Sequence, residues 1–237
     1  MFRYRIEYGK QAPLSFISHL EMVKTWERTI RRSRLPIAFS SGFHPHCRIS
    51  FGSVLPVGTA SDFEYLDLEL TENVSAEEVA ARIREQLPAG LSLKAIRRVV
   101  PESPSLMSMI NIAGYRFYAP WKTGQQLSQF ELEERLHRLR ARESWEITRK
   151  RKDRVQPIDI KPGIRQIEMT VSAAGVIGQF ELLLGPSGSV RPSEAIEMLE
   201  MMGTIPIDSK AAEIERIGLW IERAEIRISP MVLGTSC

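Results

Sequence analysis

The chain has 237 residues and a formal net charge of +3, from 32 Lys and Arg against 29 Asp and Glu. A hydrophobic fraction of 43% excludes a disordered chain, and the presence of only 2 Cys excludes a disulfide scaffold and fits a reducing compartment. The nearly balanced charge means that a nucleic-acid role must rest on local basic patches. No apolar run approaches the ~18 residues of a membrane helix, and the charged, alternating start is not typical of a leader. We therefore expect a cytoplasmic protein without a membrane partner.

The first half of the chain alternates strand and helix patterns. Apolar residues alternate with Arg3, Arg5 and Glu7, which predicts a half-buried first strand with these charges on its polar face. Ser18 and Glu21 form a capping-box pattern before a helix whose apolar stripe runs from Leu20. The predicted strands are 2–8, 37–39, 63–70 and one beginning at 91, and the predicted helices are 19–32 and 76–87.

After a predicted linker at 101–110, the same kind of pattern begins again. The predicted strands are 115–117, 145–148, 166–171, 178–184 and 217–221, and the predicted helices are 127–140 and 192–202. Both halves then follow the order β-α-β-β-α-β, the second with an added hairpin arm. The sequence predicts an α+β fold, a tandem duplication of a ferredoxin-like unit with domains at 1–112 and 113–237.

A polar loop after the third predicted element is the densest candidate for function. It carries Gly42, Phe43, His44 and His46. The two histidines could bind a metal with Cys47 or His19, but a third firm ligand is missing, so we expect no metal. A histidine could instead act as a general acid or base in RNA cleavage. The favoured hypothesis is that the loop binds a partner through its aromatic and imidazole rings.

Two basic clusters accompany this loop. The first lies on the predicted helix 19–32, where residues three and four apart share a face, and Arg48 follows the loop. The second forms the predicted arm. The candidate nucleic-acid contacts are Arg28, Arg31, Arg32, Arg48, Arg149, Lys150, Arg151 and Lys152. With the loop they are expected to form one basic cleft between the repeats that contacts phosphates.

The acidic residues of the strand at 63–70 carry no spacing typical of a metal or glycosidase site. Glu64, Asp67 and Glu69 are therefore interpreted as solvent-facing strand charges. Asp159 could pair with Arg165 or Arg149, or lie alone on an exposed strand. The chain has no dinucleotide fingerprint, phosphate-binding loop or iron–sulfur cysteine motif, so no cofactor is expected.

Several short, separated sequence motifs resemble those of a known family. They are FISHL at 16–20, the stretch 28–36, SGFHPH at 41–46, SFG at 50–52, LPVG at 55–58 and EYLD at 64–67. Together they resemble the bacterial radical-SAM-linked protein family, a domain of unknown function that occurs alone or fused behind a radical SAM enzyme. Its genes commonly lie beside those of a radical SAM protein, a ribonuclease and ribosomal proteins, which implies a role with RNA. This chain lacks the cluster cysteines, so it would be the partner of the radical enzyme.

These observations favour an RNA-binding accessory protein. Its expected role is to present tRNA or rRNA to a radical SAM or RNA-processing partner. One alternative is a metal-independent endoribonuclease or nucleotide-handling hydrolase that uses His44 or His46. Another is a protein-interaction module that docks on a radical SAM enzyme.

Overall fold

The structure is a computed structural model that describes residues 1–151, 154–185, 190–224 and 226–232. Its strands are β1 (Phe2–Lys10), β2 (Ile49–Phe51), β3 (Ala60–Leu70), β4 (Leu91–Val99), β5 (Ile112–Pro120), β6 (Glu146–Arg151), β7 (Arg154–Asp159), β8 (Ile164–Val171), β9 (Gly175–Leu183), β10 (Glu213–Arg223) and β11 (Ile226–Ile228). Its helices are α1 (His19–Arg32), α2 (Ala76–Arg84), α3 (Leu106–Met109), α4 (Gln129–Ala141) and α5 (Pro192–Met201).

Two compact units divide the chain. The first contains residues 1–111 together with 216–237, and the second contains 112–215. Most of β10 and all of β11 therefore belong to the first unit, although they follow the second unit in the sequence. The chain thus returns to its first unit after leaving it.

The sheet of the first unit is built around β1 and β3. Its strand order is β4-β1-β3-β10, with β2 also paired to β3 and β11 to β10. The pairs β1–β3, β1–β4 and β2–β3 are antiparallel. Over residues 2–99 the elements follow the order β-α-β-β-α-β, and residues 37–39 contribute only isolated bridges where a strand was predicted.

Helix α1 begins where its sequence predicts. The Ser18 side chain accepts a hydrogen bond from the Glu21 amide, and the Glu21 carboxylate accepts one from the Ser18 amide. Trp26, Thr29 and Ile30 of the predicted apolar stripe are buried, but Leu20 is 73% exposed and Met22 is buried in its place; Met22, Trp26 and Ile30 form one row. These three residues are spaced four apart, so they stack on one helix face that packs into the core of the first unit.

The second unit contains three strands of the large sheet and a hairpin. Its strands follow the order β5-β9-β8, and β6 pairs with β7 in an antiparallel hairpin at the place of the predicted arm. The rings of Tyr115 and Phe117 both pack against Phe180. Leu132, Leu136 and Leu139 form the buried face of α4. Residues 101–110, predicted as a linker, contain the short helix α3, capped by Ser105.

The α+β class is confirmed by this mixture of sheets and helices. The tandem duplication and the domain boundaries at 112 and 113 stay predictions. Among the described residues, no helix combines the length and apolar character needed to cross a membrane.

Candidate nucleic-acid interface and buried polar cavity

An open groove of about 490 Å³ lies at the carboxyl end of α1. Arg31, Arg32 and Arg34 from this end face Arg82 of α2, and Glu85 is the one acidic residue of the lining, which also contains Ser33 and Gln86. Arg32 donates to the Gln86 carbonyl, and Arg82 donates to the Arg34 carbonyl and also forms an ion pair with Glu78 of α2. These bonds fix the guanidinium groups, and each retains further N–H donors.

Arg31 connects this groove to the predicted loop. Its guanidinium carbon lies 5.5 Å from the centre of the Phe39 ring, a cation–π distance. Phe39 in turn forms a β-bridge with Cys47, which closes the base of the loop. Burial raises the pKa of the Cys47 thiol, and Arg31 acts in the opposite direction. The thiol therefore stays protonated at neutral pH.

The loop itself presents its tip to solvent. The Ser40 amide donates to the His46 carbonyl, and the His46 amide donates to the Ser40 side chain. Gly42 has a φ of 135°, a conformation that residues with a Cβ rarely adopt. Phe43 is fully exposed, and His44 and His46 are also exposed. A closed loop with an exposed aromatic tip is suited to stacking on an unpaired base.

The other predicted basic contacts have varied surroundings. Arg28 is exposed on α1. The Arg48 Nε atom lies 2.6 Å from the Glu69 carboxylate, and Arg149 Nε donates to Glu194 at 2.8 Å. Lys150 and Arg151 belong to β6, whereas Lys152 lies outside the described residues. The carboxylate partners of Arg48 and Arg149 reduce the charge that these two residues offer to a phosphate.

No metal centre is found in the part of the chain that the structure describes, since no three His, Cys, Asp or Glu side chains are grouped for one. His19 lines a small, partly open cavity and makes an edge contact with Phe51, with ring centres 5.3 Å apart. His44 and His46 instead lie on the exposed loop. Asp159, the other residue with open alternatives, accepts hydrogen bonds from the Trp145 and Lys161 amides.

The cavity at His19 is a feature that the sequence did not predict. It measures about 20 Å³, enough for one water molecule, and it is partly open. The residues that line it are Tyr8, Lys10, His19, Met22, Phe51, Ser53, Leu55, Glu64 and Tyr65. Four of the short motifs that carry the family resemblance contribute residues to this lining. They are the motifs at 16–20, 50–52, 55–58 and 64–67.

Glu64 and Arg216 form a buried ion pair beside the cavity. The Arg216 Nη1 atom lies 3.0 and 3.1 Å from the two carboxylate oxygens, and the same guanidinium donates to the carbonyls of Ser53 and Val54. Both side chains are at most 5% exposed. Burial raises the pKa of Glu64, opposed by Arg216 and by a hydrogen bond from Ser61. Glu64 is therefore not the solvent-facing residue that we predicted.

The remaining cavity groups are also shifted by burial. Burial and the nearby Arg216 lower the pKa of Lys10, while Glu64 raises it. Burial, and then Lys10, lower the pKa of His19, so its ring is neutral at pH 7. Burial raises the pKa of Tyr65 to about 12, and that of Tyr8 well above 10. Both phenols are therefore hydrogen-bond donors at neutral pH.

A second buried ion pair lies elsewhere on the same two strands. Arg5 donates to both carboxylate oxygens of Asp67 at 2.8 and 3.0 Å, Arg3 donates to Asp67 at 2.6 Å, and Arg5 also donates to the Pro230 carbonyl. Asp67 is 1% exposed and Arg5 is fully buried. The prediction that Arg5 and Asp67 face solvent is therefore wrong, because the carboxyl-terminal segment near Pro230 covers this face.

Two of the cavity residues, Lys10 and Glu64, are marked in the sequence by their position on otherwise apolar strand faces. By period two, Lys10 follows Tyr4, Ile6 and Tyr8 on one face of β1, and Glu64 precedes Leu66, Leu68 and Leu70 on one face of β3. A charged residue that ends an otherwise apolar strand face is a candidate for a buried functional group. Tyr8 and Glu64 are direct register partners, with a register shift between Tyr8 and Lys10. No comparable signal marks Arg216.

Comparison with known proteins shows the family to which this chain is similar in sequence. A bacterial family described as an uncharacterized conserved protein, DUF2344, matches residues 3–192, which is well over half of the chain. The chain belongs to this family. The matched part of the DUF2344 chain includes the groove, the loop and the whole cavity lining, whereas Arg216, the partner of Glu64, lies outside it. No curated protein matches the chain significantly.

Proposed function

We propose that this DUF2344 protein is an RNA-binding accessory protein. The observation that supports this most directly is the groove at the carboxyl end of α1, where four arginines face a single glutamate. Arginine is suited to phosphate because its planar guanidinium can donate two parallel hydrogen bonds. The groove therefore concentrates the positive charge needed to bind phosphate, although the net charge of the whole chain is close to zero.

The loop adjoining the groove supports RNA as the nucleic acid. Arg31 lies on the groove and against Phe39, so phosphate binding at the groove would bring a nucleotide near the loop. Sequence-specific RNA recognition commonly uses aromatic side chains that stack on unpaired bases. Phe43 at the loop tip is fully exposed and available for that role.

The finer parts of this proposal rest on the family resemblance. We propose tRNA or rRNA as the ligand, a radical SAM or RNA-processing enzyme as the partner, and the cytoplasm as the compartment. The tandem ferredoxin-like duplication, with an arm at Arg149, Lys150, Arg151 and Lys152, belongs to the same proposal. The proposed RNA binding at the groove does not depend on the identity of the RNA, the partner or the compartment, or on the duplication.

A salt titration with charge-reversal variants tests the groove. Bulk tRNA and rRNA fragments are titrated against the protein by fluorescence anisotropy at several salt concentrations. We expect Arg31→Glu and Arg82→Glu each to weaken binding about tenfold and to reduce the slope of log K against log salt by about one, because each removes about one phosphate contact.

The matched control is Arg138→Glu, at an exposed position on α4 of the second unit. This variant makes the same change in net charge and is expected to bind nearly as the original protein does. Equal losses in all three variants would show that only net charge matters and would reject the groove. Cleavage of the RNA in EDTA that is lost in His44→Ala or His46→Ala would instead favour the endoribonuclease.

A further inference from the structure

Lys10 is a buried amine that has no carboxylate at ion-pair distance among the described residues. Its side chain belongs to a residue that is 3% exposed, and its Nζ atom donates to the Ile17 carbonyl at 3.3 Å. Over the described ranges, no carboxylate oxygen lies within 4.0 Å of this atom. An ammonium group has three donors, so two remain for another acceptor. A buried charge in this state is unfavourable unless it is paired.

The carboxylate that lines the same cavity is already held by another cation. Glu64 receives hydrogen bonds from Arg216 on both of its oxygens. Glu64 is therefore engaged by Arg216 and forms no ion pair with Lys10 in the part of the chain that the structure describes. A bound anion beside Lys10 would offset the positive charge that a protonated Lys10 adds to the cavity.

The cavity offers further donors beside Lys10. The Tyr8 hydroxyl and the His19 ring both line it, and each can donate one hydrogen bond in its neutral form. The space of about 20 Å³ accepts a group the size of one oxygen atom, and the partly open side leaves room for the rest of a ligand at the rim. A lysine ammonium is a common point-charge partner of phosphate.

We propose that the Lys10 cavity binds one phosphoryl group, with a phosphoryl oxygen accepting hydrogen bonds from Lys10, His19 and Tyr8. The group can come from a free phosphate or from the end of an RNA chain, and the second source rests on the proposed function. Both sources share the same chemistry at Lys10. They differ in whether the groove must also be occupied.

Helix α1 provides the physical link between the two sites. His19, its first residue, lines the cavity, and Arg31, near its last residue, lines the groove. Twelve helical steps from 19 to 31 correspond to about 18 Å at ~1.5 Å per residue. At ~3.4 Å per nucleotide along one strand, this spans about five nucleotides. An RNA strand on the groove can therefore place its terminal phosphate at the cavity.

Binding of inorganic phosphate to the full chain tests the site. Thermal unfolding and isothermal titration are measured with phosphate against chloride at matched ionic strength. We expect saturable stabilisation by phosphate in the original protein, and binding at least about tenfold weaker in Lys10→Met, because a charge-assisted hydrogen bond is lost. Lys94→Met is the control, since Lys94 is 42% exposed and pairs with Asp62.

A second variant keeps the test decisive if Lys10→Met does not fold. His19→Gln retains a polar side chain and is expected to weaken phosphate binding severalfold. The proposal is overturned if the original protein shows no phosphate-specific response, or if the folded Lys10 or His19 variants respond as Lys94→Met does.

Short oligoribonucleotides then distinguish the two sources. A preference for a 5′-phosphorylated over a 5′-hydroxyl oligonucleotide that is lost in Lys10→Met supports the RNA end as the ligand. Phosphate binding that depends on Lys10, without such a preference, supports free phosphate. If no RNA binds while phosphate still binds through Lys10, the proposed function fails and the phosphoryl site stands.

Discussion

Buried ion pairs decide much of the character of the first unit at the level of single residues. The Glu64–Arg216 pair joins side chains 152 positions apart in the sequence. Such a pair contributes little net stability when it is intact, but loss of one partner leaves an uncompensated charge in the core. Replacing either residue alone should therefore destabilise the folded protein.

Replacing Arg216 tests how much the folded state depends on the intact pair. We expect Arg216→Met to destabilise the protein by about 3–5 kcal/mol at pH 7, because it leaves the Glu64 carboxylate buried and unpaired. Arg97→Met, at an exposed position on β4, is expected to change stability by less than about 0.5 kcal/mol. Urea denaturation followed by circular dichroism measures both variants.

The pH dependence of Arg216→Met follows from the pKa of Glu64. Burial raises the pKa of Glu64 in the folded state. The contribution of protonated Glu64 to folding stability is therefore fully present below the unfolded-state pKa, and it is lost as the pH rises through the folded-state pKa. Without Arg216 the folded pKa should rise further. The loss of stability should be smallest near pH 4.5 and grow toward neutral pH. A pH-independent loss, or no recovery on adding Glu64→Gln, would contradict this explanation.

The loop closed by Phe39 and Cys47 shows at the level of elements how local geometry can expose a functional side chain. Its base is fixed by the bridge and by the two hydrogen bonds between Ser40 and His46. Phe43 at the tip is fully exposed and therefore contributes little to the core. An aromatic residue held outward in this way is more valuable for binding than for folding.

Truncating this aromatic residue should separate binding from stability. We expect Phe43→Ala to weaken binding to RNA with unpaired bases by about 1–3 kcal/mol, the range for one base–aromatic stack, with little change in the unfolding midpoint. Phe130→Ala is the matched control, because Phe130 is 73% exposed on α4. Fluorescence anisotropy with hairpin and fully paired RNA measures the effect. An equal change for both RNAs would argue against stacking.

The whole molecule is organised by the return of the chain to its first unit. Strand β10 pairs with β3, and the Asn111 side chain donates to the Glu222 carbonyl. Residues 216–237 thus complete the unit that residues 1–111 begin. A fragment that ends at 111 would lack Arg216 and expose an unpaired edge of β3.

Fragments test this organisation directly. We expect residues 1–111 alone to lack cooperative unfolding, and residues 1–111 joined to 216–237 by a Gly/Ser linker of about eight residues to regain it. Arg216→Met in the joined chain should abolish the recovery. Circular dichroism during urea titration gives the readout. Cooperative folding of residues 1–111 alone would refute the expectation and support the predicted boundary at 112.

Features that depend on near neighbours along the chain could be predicted from the sequence. The Ser18 and Glu21 pattern placed the start of α1 because capping is decided within four residues. The alternation of β1 and β3 marked those strands, and the α+β class followed from the element order. The exposed loop with Phe43 was also identified, because glycine and proline in a polar stretch mark a turn locally.

Which charges are buried depends on contacts between residues that are distant in the sequence. Leu20 and Met22 are both apolar, and packing against the sheet determined that Met22 is buried and Leu20 exposed. The partners Glu64 and Arg216 meet only because β10 returns to the first unit. The free energy of burying a charge depends on partners brought in by the fold, so the Lys10 cavity could not be recognised until those partners were in place.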